Sequence, residues 1–149
     1  MGTNDPYDVT WEGLHCSLTV RRPLEGVAVL IFRGTDVGEF GDRPFLAIER
    51  HLADGLPIEL WIDARATSAA SIDVSSGWAA WFRAHRDQLH RVTVLCGSDL
   101  LAVTVTFAAR FSEMRRLRIY RDPELFDRAL ASAADPGLPS EPGGRRTSG

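Results

Sequence analysis

The stretch IELWIDARATSAASIDVSSGWAAWF, residues 58–82, changes its apolar spacing halfway along, from the period of a strand to that of a helix. Its opening IELWID is rich in strand formers and repeats aliphatic side chains at every second position, which predicts a strand that ends at Asp63. A loop of small residues follows. Trp78, Trp81 and Phe82 then recur at helical spacing. The stretch therefore predicts a strand, a loop and an amphipathic helix.

Strands and helices alternate along the rest of the chain as well. The predicted strands cover residues 14–21, 27–33, 58–63, 91–96 and 116–120. The predicted helices lie within residues 42–54, 73–89, 98–114 and 122–133. The first two strands form a hairpin, and each later step from strand through helix to strand favours a right-handed parallel crossover. The order ββαβαβαβα predicts an α/β domain with a five-stranded mixed sheet and four helices.

The third predicted helix carries its larger side chains on one stripe. The stripe consists of Leu100, Val103, Thr104, Phe107 and Phe111. Ser98 or Asp99 can cap this helix at its start. Because aromatic residues at helical spacing usually belong to a core, we expect the stripe to be buried against the sheet.

The composition sets the limits of the domain. We expect residues 12–133 to form one domain, preceded by an N-terminal arm at residues 1–11. Residues 134–149 consist mainly of Pro, Gly, Ser and Arg and hold almost nothing to bury, which predicts a disordered tail. The longest apolar run, VAVLIF at residues 27–32, is far too short to cross a bilayer as a helix. The first residues lack the pattern of a secretion signal, so a cytoplasmic location is expected.

The charged residues exclude several functions. The chain contains no lysine, and all 17 of its basic residues are arginine. Phosphate-loop hydrolases and Schiff-base enzymes both need a lysine, so neither class fits. The net charge of -3 argues against a nucleic-acid binder. Cys16 and Cys96 stand alone in apolar surroundings, which indicates buried thiols and no metal site.

The order of elements, Asp63 at a strand end and the sequence DVSSG at residues 73–77 together resemble the STAS superfamily. Its best-known members are the bacterial anti-sigma-factor antagonists of the SpoIIAA type, and the likeness covers residues 12–133. In that family a partner kinase phosphorylates the serine next to the glycine. The resemblance therefore implies Ser76 as a phosphoacceptor, a kinase-like protein and an anti-sigma protein as partners, and a regulatory function without catalysis.

Two interpretations of the serine pair stay open. In the first, Asp73 caps the helix through the N–H group of Ser75 or Ser76, and the serines only occupy its first turn. In the second, one serine accepts a phosphate, which the positive end of the helix dipole favours. Ser76 is the better acceptor and Ser75 the second, because Ser76 shares the solvent side with Arg83. The charge of Asp73 would repel the phosphate, which suits a switch that releases a partner. Residues expected to contact a partner are Asp63, Asp73, Gly77 and Arg83.

Two further functions remain as alternatives. Trp78, Trp81 and His85 could line a pocket for a small apolar ligand, although the same spacing is typical of core residues. An enzyme of unrecognised type would depend on a histidine such as His85, but no nucleophile motif accompanies it. We therefore expect no catalytic residue, no cofactor and no bound metal. The oligomeric state is left open.

Overall fold

The structure is a computed structural model that describes residues 8–35, 38–53, 55–67, 69–114 and 116–134. Its strands are β1 (Val9–Glu12), β2 (Cys16–Leu24), β3 (Val27–Gly34), β4 (Ile58–Ala66), β5 (Leu89–Cys96) and β6 (Leu117–Tyr120). Its helices are α1 (Arg43–His51), α2 (Ile72–His85), α3 (Asp99–Phe111) and α4 (Pro123–Ala134). The predicted tail lies outside the described residues, apart from Ala134.

The six strands form one sheet in the order β1-β2-β3-β4-β5-β6. The pairs β1–β2 and β2–β3 are antiparallel, whereas β3, β4, β5 and β6 run parallel. Each parallel pair is joined through a helix, as parallel strands require. The predicted α/β fold with a mixed sheet and four helices is confirmed, but the sheet has one strand more than the five expected.

The additional strand is β1, which falls largely in the segment expected to be an arm. Its register pairs Val9 with Val20 and Glu12 with Ser17. The strand is only four residues long, so its alternation is too brief to predict a strand. Leu14, expected within the first strand, instead lies in the turn before β2 and is 93% exposed.

The two faces of the sheet carry cores of unequal size. Helices α1, α2 and α3 cover one face, where Leu60 and Ile62 of β4 belong to the larger core. The neighbouring Trp61 points to the other face, where Phe126 of α4 fills a smaller core. Because side chains alternate along a strand, a strand covered on both faces needs apolar residues at successive positions. This explains the near-continuous apolar character of β3, β4 and β5.

Helix α3 is present as predicted, but the predicted buried stripe is wrong. Leu101 and Ala109 are the buried side chains of α3. Four members of the expected stripe face solvent instead: Leu100 is 64% exposed, Val103 52%, Phe107 69% and Phe111 78%. The helix is apolar on more than one side, and its smaller residues pack against the sheet. We call Leu100, Val103, Phe107 and Phe111 the α3 apolar stripe.

Candidate functional site

Helix α2 begins two residues earlier than the serine motif suggested. Ser71 is the N-cap, and its side chain accepts a hydrogen bond from the N–H of Val74 at 3.2 Å. The predicted cap at Asp73 is therefore wrong, because Asp73 already lies within the first helical turn. Ser76 lies past that turn, so its N–H group belongs to the regular helix and is not a free donor. A phosphate on Ser76 would not sit over the open end of the helix.

The two serines of the motif face different surroundings. The hydroxyl of half-buried Ser75 donates to the backbone carbonyl of Ser71 at 3.0 Å. Ser76 is exposed and reaches the solvent side of the helix. A kinase could therefore approach Ser76, whereas the Ser75 hydroxyl is already engaged inside the protein.

Ser76 lines a groove between α2 and α3. On the α2 side the groove is formed by Ser76, Ala80 and Arg83, and on the α3 side by Phe107 and Phe111. Arg83 donates a hydrogen bond to the Phe111 carbonyl at 3.2 Å and ties the two helices together at one end of the groove. The groove thus joins the exposed serine to the α3 apolar stripe.

A second, deeper cavity of about 100 Å³ lies between these helices and the sheet. Its wall is almost entirely apolar. The main lining residues are Phe32, Ile62 and Val94 of the sheet, Val74, Trp78 and Phe82 of α2, and Leu101, Val105 and Ala108 of α3. Thr67, which directly follows β4, completes the wall at its edge. A cavity with such an apolar wall can hold a small apolar molecule.

Only one of the three predicted pocket residues lines this cavity. Trp78 does so, whereas Trp81 and His85 turn toward α1. The Trp81 indole donates to the Glu49 carboxylate at 2.9 Å, and the His85 ring stacks on Trp81 with centroids 4.2 Å apart. His85 Nδ1 also donates to the Trp81 carbonyl at 2.9 Å. These contacts give His85 a packing role.

The predicted partner contacts are divided among three places. Arg83 lies in the groove between α2 and α3, while Asp73 and Gly77 line a separate groove beside α1. Asp63 belongs to neither groove. It pairs with Arg65, which also binds Asp127 of α4 on the other face of the sheet. The two carboxylates, Asp127 foremost, raise the pKa of Arg65 above its ordinary value.

Cys16 and Cys96 are both buried in the core. Burial raises the pKa of Cys96 to about 11, so the thiolate that a nucleophile or metal ligand requires is disfavoured. Within the described ranges, no three His, Cys, Asp or Glu side chains gather in a way that could hold a metal ion. The same residues include no helix with both the length and the apolar composition that crossing a bilayer requires.

Two features of this region were missed by the sequence reasoning. The exposure of the α3 apolar stripe could not be predicted from the sequence. Helix α3 has apolar residues on several sides, and periodicity alone cannot tell which side is covered. Thr67 lies in a loop of small residues without any motif, so no sequence signal could have placed it on a cavity wall.

Comparisons with known proteins bear on the fold. A scan against protein-family models finds no match, and a search of curated proteins finds no relative. Among solved structures, an uncharacterized DUF3478-family protein with a SpoIIAA-like fold from Shewanella loihica PV-4 matches with a TM-score of 0.55 and 18% identity. The match covers 80% of this chain and 98% of that one. An anti-sigma factor antagonist from Mycobacterium paratuberculosis matches with a TM-score of 0.47 and 17% identity, over 78% and 94% of the two chains. The match to the Shewanella loihica protein shows that the chain has the SpoIIAA-like fold that the order of its elements suggested.

Proposed function

We propose that this protein is a regulatory domain without catalytic activity, which binds a partner protein through the surface formed by α2 and α3. The observation that carries the proposal is the exposure of the α3 apolar stripe. Its side chains follow one another at intervals of three and four residues, so they lie along one side of the helix. They would contact a partner together.

The size of this surface supports a docking role. Phe107 and Phe111 are 69% and 78% exposed. An aromatic side chain carries about 150 to 250 Å² of surface, so these two alone leave on the order of 300 Å² of apolar surface in water. The largest patch on an ordinary monomer is about 300 to 600 Å² and is often functional. Leu100 and Val103 extend this patch toward the start of α3.

The shape of the surface favours an amphipathic helix as the docked segment. Helix α3 has 13 residues, which corresponds to a length of about 20 Å. The groove beside it is walled by two helices, and an apolar helix face fits such a groove through anchors spaced three or four residues apart. Partner side chains in the groove would meet Phe107 and Phe111, while Arg83 offers a charged group at the rim.

Phosphorylation of Ser76 would act on this groove as a release switch. A phosphate brings about -1.5 to -2 charges to a wall that otherwise offers apolar contacts. Ser76 lies inside α2, past its first turn, so the free N–H groups at the start of the helix would not compensate the charge of the phosphate. Asp73 lies one turn away and carries a charge of the same sign. The kinase and the anti-sigma class of partner remain proposals that rest on the resemblance, and the cytoplasmic setting remains a proposal as well.

We expect Phe107→Asp to weaken partner binding by about 30-fold or more, because a central aromatic anchor is often worth about 2 kcal/mol or more. Ser76→Asp should weaken binding as well, and Ser76→Ala should not. The matched control is Leu46→Asp, which places the same charge on a 58% exposed leucine of α1. The partner is first identified by cross-linking in the native host and is then titrated against the four variants.

The outcomes separate the two parts of the proposal. Equal affinity for wild type and Phe107→Asp would contradict docking on α3. Equal affinity for Ser76→Ala and Ser76→Asp, together with no phosphate in the intact mass of the native protein, would remove the switch and leave the docking surface standing.

A second candidate function is the binding of a small apolar ligand in the cavity beneath α2 and α3. The observation that favours it is the almost wholly apolar wall, which includes Trp78. Catalysis is the weakest of the three candidates, since the ring nitrogens of His85 face the Trp81 carbonyl and Glu49.

A further inference from the structure

Helix α3 has an open side because it lies at the end of its layer of helices. It connects β5 to β6, and among the described residues the sheet has no strand beyond β6. Helix α2 packs on one side of α3, where Arg83 donates to the Phe111 carbonyl. The other side of α3 faces away from this neighbour. The α3 apolar stripe therefore leaves room for a second helix.

Two side chains of opposite charge flank the stripe near its two ends. Asp99 is the first residue of α3, and its side chain is 95% exposed although Oδ1 accepts a hydrogen bond from Arg121. Arg110 is exposed near the end of α3 and has no ion-pair partner in the described part of the chain. The two residues are eleven positions apart, which is about three turns, so they lie on the same flank of the helix. Thr104 and Ala108, which line the groove beside α2, lie on the opposite flank.

These charges are self-complementary in an antiparallel pair of α3 helices. A twofold axis through the middle of α3 brings each flank of the helix next to the same flank of a second copy, with the chain direction reversed. Asp99 of each copy then lies beside Arg110 of the other, and the contact forms twice. A parallel pair would instead place Asp99 beside Asp99 and Arg110 beside Arg110, and like charges repel. Charge thus selects the antiparallel arrangement.

The apolar side chains fit the same arrangement. The axis places Phe107 opposite Val103 and Phe111 opposite Leu100, so a large side chain meets a smaller one at each contact. The four side chains leave roughly 400 Å² of apolar surface in water on each copy, of which the phenylalanines supply most. Two copies would bury roughly 800 Å², and interfaces below about 1,200 Å² are weak and transient. Such a dimer forms only at raised protein concentration.

We infer that two copies of this protein form a weak antiparallel dimer through α3, with the α3 apolar stripe at its centre and an Asp99–Arg110 ion pair at each end. The inference goes beyond the proposed function, because it needs no other protein. It also gives that function a regulation. The dimer covers the stripe on which a partner protein would dock, so self-association opposes partner binding.

The test is sedimentation equilibrium over a series of protein concentrations at low ionic strength. We expect the average mass of the wild type to rise from monomer toward dimer, and Phe107→Asp to stay monomeric because the change acts twice in a symmetric dimer. Arg110→Glu should raise the dissociation constant about tenfold, since both ion pairs become repulsive contacts. The matched control is Arg43→Glu, which makes the same charge change on an exposed residue of α1 and should dimerise like wild type.

A mixture of two variants tests the antiparallel arrangement. Asp99→Arg alone and Arg110→Glu alone each place like charges at both ends of the dimer. In a dimer with one copy of each variant, both ends again join opposite charges. The equimolar mixture should therefore dimerise about as strongly as wild type, although each variant alone does not. Circular dichroism checks that Asp99→Arg folds without its bond to Arg121, and the Phe107→Asp and Arg110→Glu measurements do not depend on it.

The possible failures are distinguishable. A wild type that stays monomeric at every concentration overturns the inference, as does a Phe107→Asp or Arg110→Glu variant that dimerises like wild type. A mixture of folded variants that does not regain dimerisation overturns the antiparallel arrangement. The proposed function is tested separately by titration with the partner, and equal partner affinity for wild type and Phe107→Asp would remove it without affecting the dimer.

Discussion

Replacing Phe126 with alanine is expected to lower the free energy of unfolding by about 3 to 5 kcal/mol. Phe126 is fully buried, and its ring meets Trp61 and Tyr120 edge to face, with centroids 5.6 and 6.0 Å apart. Among the described helices, only α4 packs on this face of the sheet, and Phe126 is its one buried side chain. Removing the ring leaves a cavity that no neighbouring helix can fill.

The measurement is chemical denaturation followed by circular dichroism. Leu125→Ala serves as the control, because Leu125 precedes Phe126 on the same helix but is 47% exposed. Its loss should remain below about 1 kcal/mol, since substitutions of exposed residues rarely cost more. If Phe126→Ala unfolds at the same denaturant concentration as Leu125→Ala, Phe126 does not stabilise the packing of α4 against the smaller core of the sheet.

Replacing Gly34 with alanine is expected to cost about 3 kcal/mol or more, from two separate causes. The backbone at Gly34 has φ +97°, a conformation that residues with a side chain rarely adopt. In addition, an added Cβ would lie 2.2 Å from the His15 carbonyl oxygen at the point where β2 pairs with β3. The added Cβ is bonded directly to the backbone, and the His15 oxygen is a backbone atom, so neither can move away by a side-chain rotation. The strands β2 and β3 would have to separate at this point.

Gly26→Ala provides the matched control. Gly26 has a similar φ of +87°, but nothing lies within 4 Å of the added Cβ. This variant keeps the backbone strain without the clash and should cost about 1 kcal/mol. The difference between the two variants, measured by the same denaturation experiment, isolates the contact with His15. Equal losses for both variants would contradict the close approach of Gly34 to the turn before β2.

Most elements of the fold could be predicted because their periodicity is strong and their ends are marked. The aliphatic residues of β4 at every second position and the helical spacing of Trp78, Trp81 and Phe82 each point to one structure. The register of β1 could not be predicted, since four residues carry too little alternation. The N-cap was misplaced because Ser71 and Asp73 are both good capping residues, and only the backbone shows that Ser71 has the extended conformation of a cap.

The candidate site was harder to predict than the fold. Its residues were grouped by their closeness in sequence, but α2 presents them on different sides. Asp73 and Gly77 face the α1 groove, and Ser76 and Arg83 face α3. Asp63 lies on the opposite face of the sheet because side chains alternate along β4. Periodicity identifies the sides of an element, and only the packing of its neighbours decides which side remains open.

The proposed function depends on the claim that the α3 apolar stripe is exposed, and hydroxyl-radical footprinting of the monomeric protein tests this claim at each side chain. Oxidation is read for each phenylalanine by mass spectrometry, with buried Phe126 and Phe82 as internal references. We predict that Phe107 and Phe111 are oxidised many times faster than these two references. Oxidation of Phe107 and Phe111 as slow as that of Phe126 would contradict the claim, because it would mean that the stripe is covered within a single chain and is closed to a partner.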